Sequence, residues 1–256
     1  MEQRSLLTAA RQALACLDLT SLNEADSAAD IAALCARAQT PFGPVAAVCV
    51  WPRFVAQARA ALPPGIKVAA VADFPDGALD LPRALADIAS IAQAGGDEVD
   101  VVLPYKALMA GQRSEVAEFL AEVRHASRPL TLKVILESGE LAAPELIREA
   151  SRLALAAGAD FIKTSTGKSP VSATPEAAAA MLQEIQASGL AHAGFKASGG
   201  IRSVAEARVY LDLAAQTLGE AALQPQRLRF GASGLLNDIL AQLSGQAPAA
   251  ASGSGY

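Results

Sequence analysis

The sequence predicts an α/β protein built as a single-domain (β/α)8 TIM barrel, and three observations carry that expectation. Eight short apolar or β-branched runs recur at a mean spacing of roughly 30 residues, the length of one βα unit. The stretches between them carry helix-start and helix-stop residues. An open doubly wound sheet would share the alternation but needs fewer strands and a glycine-rich first turn, and no GxGxxG occurs.

The strand candidates are 16–20, 45–50, 67–72, 98–103, 131–137, 161–165, 194–197 and 229–232. Among the helices, Ser203 with Glu206 forms an S-x-x-E capping box, and Gly219 closes that helix. Thr174-Pro175 supplies an N-cap with proline in the first turn, and Gly189 ends the segment. Pro144-Glu145 and Gly158 bracket another helix. A short internal echo links Ala94-Gly95-Gly96-Asp97 before one strand with Ala157-Gly158-Ala159-Asp160 before another. On that echo Asp100 and Lys163 occupy equivalent depths of two like-built units. Residues 1–245 read as one barrel domain, and the low-complexity stretch 246–256 as a flexible tail.

Composition narrows the class. Hydrophobic residues make up 52% and charged residues 18% of the 256 residues, which excludes disorder over most of the length. The mean hydropathy of +0.29 comes largely from alanine, and no apolar run reaches the ~18 residues of a membrane span. A net charge of −5 without any Lys/Arg block argues against a nucleic-acid partner. Glu2, Arg4 and Arg11 fall where an export signal would be apolar, so a cytoplasmic protein is expected. Cys16, Cys35 and Cys49 are odd in number, fit no CxxC spacing and read as reduced thiols. Cys49 shares a strand face with Ala47 and Trp51 and is expected near the barrel mouth. The two histidines, His125 and His192, lie in no motif, so neither a His-ligated metal nor a Ser-His-Asp triad is indicated.

Chemistry is carried by ionisable residues in otherwise apolar strands. Asp18, Asp100, Lys133, Lys163 and Lys196 interrupt runs of Val, Ile, Leu, Phe and Gly. Strand alternation puts Glu98, Asp100 and Val102 on one face, and sets Lys163 and Lys196 opposite their apolar neighbours. The apolar neighbours must meet the outer helices, so the charges point into the barrel. Burying that many charges is costly unless they are paired and used. A lysine amine is nucleophilic only when unprotonated, and lowering its pKa from about 10.4 to about 7 takes roughly 4 kcal/mol. A second ammonium together with desolvation can supply that, and Lys163 with Lys196 is such a pair. An aspartate within reach would then move protons.

A second group of residues suits an anion. Thr164-Ser165-Thr166-Gly167-Lys168, Gly199-Gly200-Ile201-Arg202 and Gly231-Ala232-Ser233-Gly234 follow three consecutive strands. Barrels commonly cradle phosphate in such loops with backbone N–H groups and a helix N-terminus.

The segments Asp160–Gly167, Gly194–Arg202, Glu98–Tyr105, Leu17–Thr20, Pro52-Arg53-Phe54 and 229–233 resemble the deoxyribose-phosphate aldolases, a class I, Schiff-base family, from about residue 10 onward. The resemblance implies that Lys163 is the Schiff-base lysine and that Asp100 and Lys196 donate and accept protons, with Lys133 and Asp18 as accessory polar residues. It implies a phosphate site of Gly167, Lys168, Gly199, Gly200, Ile201, Arg202, Gly231 and Ser233, with Thr20 as a further substrate contact. Some relatives end in a tyrosine on a tail, which implies a proton-relay role for Tyr256. One departure is Gly234, where relatives carry a serine, so one hydroxyl contact to phosphate is lacking. The expectation is therefore a metal-free and cofactor-free lyase. It would cleave 2-deoxy-D-ribose 5-phosphate to D-glyceraldehyde 3-phosphate and acetaldehyde in deoxyribose phosphate catabolism. Its partners would be small phosphosugar and aldehyde substrates, with a homodimer admitted. A metal-dependent aldolase, a phosphosugar isomerase and a non-catalytic phosphosugar-binding barrel are the alternatives. None of them needs Lys163, Lys196 and Asp100 together.

Overall fold

A computed structural model describes residues 4–245; the expected tail 246–256, Tyr256 included, lies outside the described residues. Eight parallel strands close into a barrel: β1 (Leu17–Thr20), β4 (Ala47–Val50), β5 (Lys67–Ala72), β6 (Glu98–Val102), β7 (Thr131–Ile135), β8 (Phe161–Lys163), β9 (Gly194–Ser198) and β10 (Leu228–Ala232). β10 pairs with β1, and β1 with β4, so no edge is left open. All eight expected strands are present, with ends that agree to within two residues and 67–72 unchanged.

Two features were not anticipated. A two-stranded antiparallel ribbon, β2 (Gln39–Thr40) and β3 (Gly43–Pro44), precedes β4. The run expected as 131–137 ends at Ile135, because Glu137 turns left-handed at φ 56° and the chain enters the short helix Ser138–Leu141.

The helices follow their punctuation. Ser203 and Glu206 make the reciprocal capping box of Val204–Leu218, which Gly219 ends. Thr174 caps Pro175–Ser188, and Gly189 closes it in the left-handed region at φ 67°, a conformation that favours glycine. Pro144–Ala156 opens on its proline, with Gly158 following at φ 89°. A second capping box, Ser27 with Asp30, opens Ala28–Arg37 and was not singled out from the sequence. The helix Leu6–Ala15 precedes the first strand and packs on Val204–Leu218 and Leu235–Ser244. Outward strand residues such as Val48, Val68, Val99, Leu132, Ile162 and Phe195 are wholly buried beneath the helices. Each such side chain contributes about 1.5–3 kcal/mol of transfer free energy. No helix among the described residues is long and apolar enough to cross a membrane.

Candidate active site

The barrel interior holds seven charged side chains. Asp18 on β1, Glu98 and Asp100 on β6, Lys133 on β7, Lys163 on β8, Lys196 on β9 and Arg229 on β10 are each at most 5% exposed. Asp100 sits at the centre. Its Oδ2 accepts from Lys163 Nζ at 2.9 Å and from Lys196 Nζ at 2.8 Å, and its Oδ1 accepts from Lys133 Nζ at 2.8 Å. Asp18 accepts from Lys196 through one oxygen and from Arg229 through the other.

The three lysines differ in how many carboxylates they meet. Lys133 lies 2.5 Å from Glu98, 2.8 Å from Asp100 and 3.4 Å from Asp18. Lys196 meets Asp18 and Asp100, whereas Lys163 meets Asp100 alone among the described residues. Burial opposes the charged form of all three. At Lys133 and Lys196 the surrounding carboxylates more than reverse it, and both ammonium groups are held above the usual lysine value. At Lys163 burial prevails over the single Asp100, Lys196 adds its repulsion, and the pKa falls below the usual value. Sequence reasoning gave first weight to the second ammonium. The structure gives it to burial, because Lys196 is largely neutralised by its own two carboxylates. Burial also opposes ionisation of Asp100, but Lys133, Lys163 and Lys196 together hold its carboxyl well below the usual range.

Glycines keep this centre open. A Cβ on Gly231 would stand 3.0 Å from Lys196 Cε and 2.6 Å from Ser198 Oγ. Cys49, on the inward face of β4, is fully buried beside the lysines, with burial pushing its thiol up to about 11. It faces the interior as expected, but as a protonated thiol. Thr20 closes β1 with its hydroxyl donating to the Asp18 carbonyl at 2.8 Å.

The three glycine-containing loops converge at the C-terminal strand ends. Gly199 N–H donates to the Gly231 carbonyl at 3.4 Å, and a Cβ on Gly199 would come within 3.3 Å of Gly167 Cα. Gly167, Gly199 and Gly200 all have φ between 80° and 84°. Ile201 is buried, Arg202 and Gly200 are exposed, and Ser233 lies one residue before Gly234, from which the helix Leu235–Ser244 starts. Lys168 leans across to the loop after β1, where its Nζ donates to the Leu22 carbonyl at 2.9 Å. Thus Gly167, Gly199 and Gly231 come together, and Lys168 has a protein partner in the loop after β1. Tyr256 lies outside the described residues.

Sequence reasoning missed two residues. Arg229 interrupts an apolar strand just as Lys196 does, and it stands level with Lys196 in the register, so the same signal was available. Glu137 is buried and accepts from Thr166 N–H, Thr166 Oγ and Ser169 Oγ, tying down the loop after β8; burial lifts its carboxyl above the usual value. Its part depends on a left-handed turn that alternation cannot reveal. Ser165 Oγ, two residues past Lys163, is buried without a hydrogen-bond partner among the described residues.

A closed parallel barrel with buried ionisable side chains in its interior and glycine loops beyond the C-terminal strand ends defines an α/β-barrel enzyme. The sequence pattern of the DeoC/LacD family aldolases matches residues 12–241. The chain belongs to that aldolase family and is a carbon–carbon lyase. It is 50% identical over 259 residues to the deoxyribose-phosphate aldolase of Agrobacterium fabrum, covering 100% of this chain and 99% of the relative. Among solved structures, a candidate deoxyribose-phosphate aldolase from Toxoplasma gondii ME49 superposes with a TM-score of 0.86 at 23% identity, over 94% of this chain and 96% of that one. The tetrameric deoxyribose phosphate aldolase of Aeropyrum pernix gives 0.70 at 23% identity, over 93% and 92%. At that identity these two structures speak for the fold.

Proposed function

We propose that the protein cleaves 2-deoxy-D-ribose 5-phosphate reversibly to D-glyceraldehyde 3-phosphate and acetaldehyde through an imine on Lys163. The observation that carries this reading is the position of Lys163: buried, with its pKa lowered, and bonded to the same Asp100 oxygen as Lys196. The Agrobacterium fabrum relative supports the substrate assignment.

The Lys163 amine attacks the aldehyde carbon of the open-chain sugar. Asp100 takes the proton released from nitrogen and returns it to the carbinolamine hydroxyl, which leaves as water. The resulting protonated imine is the electron sink, so the carbon–carbon bond can break without a metal or organic cofactor. As the C3 hydroxyl gives up its proton to the Asp100 carboxylate, the C2–C3 bond breaks. The aldehyde product leaves, and its electron pair remains as an enamine on Lys163. Protonation of the enamine carbon and hydrolysis release acetaldehyde. Lys196, held charged by Asp18 and Asp100, keeps a positive field on the reacting atoms. Lys133 and Asp18 fix the orientation of Asp100 and Lys196. The phosphate is assigned to the loops of Gly167, Lys168, Gly199, Gly200, Ile201, Arg202, Gly231 and Ser233, beside the start of Leu235–Ser244. Tyr256 is assigned the proton transfer at the enamine carbon. The same reading assigns the protein to the cytoplasm and to deoxyribose phosphate catabolism, with a homodimer admitted.

Borohydride reduction in the presence of acetaldehyde tests the central step. One ethyl group's mass should appear on Lys163. Mass on another lysine, or on none, would reject the mechanism.

A further inference from the structure

We propose that Arg229 and Glu98, on the floor of the barrel interior, are positioning residues that set the pH at which the Lys163 amine is released for attack. The inference rests on Lys163 being the imine-forming residue. Arg229 is a fork between two carboxylates: Nη1 donates to Asp18 Oδ1 at 2.5 Å and to Glu98 Oε2 at 3.2 Å, and Nη2 donates to Glu98 Oε1 at 2.8 Å. Its Nε donates to the Pro225 carbonyl, and its guanidinium carbon lies 5.6 Å from the centre of the Phe161 ring. The planar fork is thereby fixed on every side. Both carboxylates are shared upward: Asp18 also accepts from Lys196, and Glu98 also meets Lys133.

Charge counting gives this arrangement its consequence. Lys133, Lys163, Lys196 and Arg229 face Asp18, Glu98 and Asp100, so full ionisation leaves one positive charge in excess. The excess is relieved at least cost where carboxylate contact is poorest, and that is Lys163. Among the described residues, the remaining titratable groups near Lys163 are Cys49 on β4 and Glu137 in the loop after β7. The Cys49 thiol is neutral, and the Glu137 carboxyl is occupied by Thr166 and Ser169. Arg229 is the only one of the four cations that is not a lysine around Asp100, and it supplies the surplus without competing for that carboxylate. Glu98 limits the surplus.

Arg229 and Glu98 also stand away from the substrate. They line a cavity of about 630 Å³ bounded by Ala46, Lys67, Thr131 and Asp160, which begin or precede the strands. That is the end opposite the glycine loops, so altering either residue leaves those loops untouched.

The two residues should therefore shift the pH profile in opposite directions. Without Arg229 the remaining charges balance, Lys163 keeps its proton more tightly, and the acid limb of imine formation moves to higher pH. Without the Glu98 charge the excess grows, and the limb moves to lower pH. The experiment follows the rate of borohydride-trappable imine formed from acetaldehyde across pH, with the mass located on Lys163. It compares the parent with Arg229→Met, Arg229→Lys and Glu98→Gln. Shifts on the order of one pH unit are expected, upward for Arg229→Met and downward for Glu98→Gln, the size of one unit charge removed from a partly screened interior. Arg229→Lys, which keeps the charge and loses the fork, should stay close to the parent. Reduced rates with an unmoved limb, or both limbs moving the same way, overturn the proposal. Glu98→Gln is nearly isosteric and carries the test by itself if Arg229→Met does not fold. A parent that gains no mass on Lys163 at any pH rejects the imine reading itself, before any variant is compared, and the inference falls with it.

Discussion

Lys163 and Asp100 meet at 2.9 Å although β7 separates their strands, and each lies three residues beyond an aspartate that performs the same task. Asp97 accepts from Val68 N–H and Arg59; Asp160 accepts from Leu132 N–H and Arg124. Each aspartate locks the start of its own strand to the preceding one. The two units thus deliver a carboxylate and an amine to one depth, where side chains on alternate strands share a layer.

Lys163→Ala should lower turnover by at least about 10³-fold, because the covalent intermediate is lost. Lys196→Ala should leave a slow imine-forming enzyme. Its ammonium lowers the Lys163 pKa, so removing it raises that pKa and moves the acid limb of the rate profile to higher pH. Steady-state kinetics together with borohydride trapping checks both; near-normal turnover of Lys163→Ala would contradict the assignment.

Arg202→Ala should raise KM for deoxyribose 5-phosphate by about 10-fold or more, a charge-assisted contact being worth roughly 1.5–3 kcal/mol. KM for unphosphorylated deoxyribose should barely change. Equal effects on the two sugars would remove Arg202 from the phosphate site.

Asp73, after β5, has φ 49° and is buried, with neither carboxylate oxygen hydrogen-bonded among the described residues and Arg83 at 3.8 Å. Burial, opposed by Arg83, raises its pKa to about 7. The folded state therefore binds the proton more tightly than the unfolded chain, and this residue costs stability as pH rises from about 4 to about 7. Asp73→Asn, which also tolerates the left-handed backbone, should raise Tm by on the order of 2–4 °C at pH 8. The gain should shrink as pH falls below 7 and vanish near 4. Thermal melts across that range decide it; a gain independent of pH would point to another cause.

Gly194→Ala should destabilise the fold by about 1–3 kcal/mol, since its Cβ would come within 2.9 Å of three Phe161 ring carbons. Shrinking the ring in Gly194→Ala/Phe161→Leu should recover part of the loss. Denaturant titration of the three variants measures the recovery.

Much of this was legible from residue order alone. The eight strands, the three helices with explicit caps and the inward direction of Asp18, Asp100, Lys133, Lys163 and Lys196 follow from alternation and capping chemistry, which act over a few residues. The glycine loops were legible for the same reason: a left-handed turn is written in its own residue type. What alternation could have shown but did not was Arg229, a charge on the same face of an apolar strand as its register partner Lys196.

The sequence by itself determined which side chains enter the barrel, because the strand period of two is a local property. Only the tertiary structure decided which lysine has its pKa lowered. That depends on how three carboxylates from two strands are shared among four cations from four others, and charge interactions are fixed by distance across the barrel. The left-handed turn at Glu137 and the Lys168 contact with Leu22 were likewise decided by closure of the barrel, which brings distant loops to one rim.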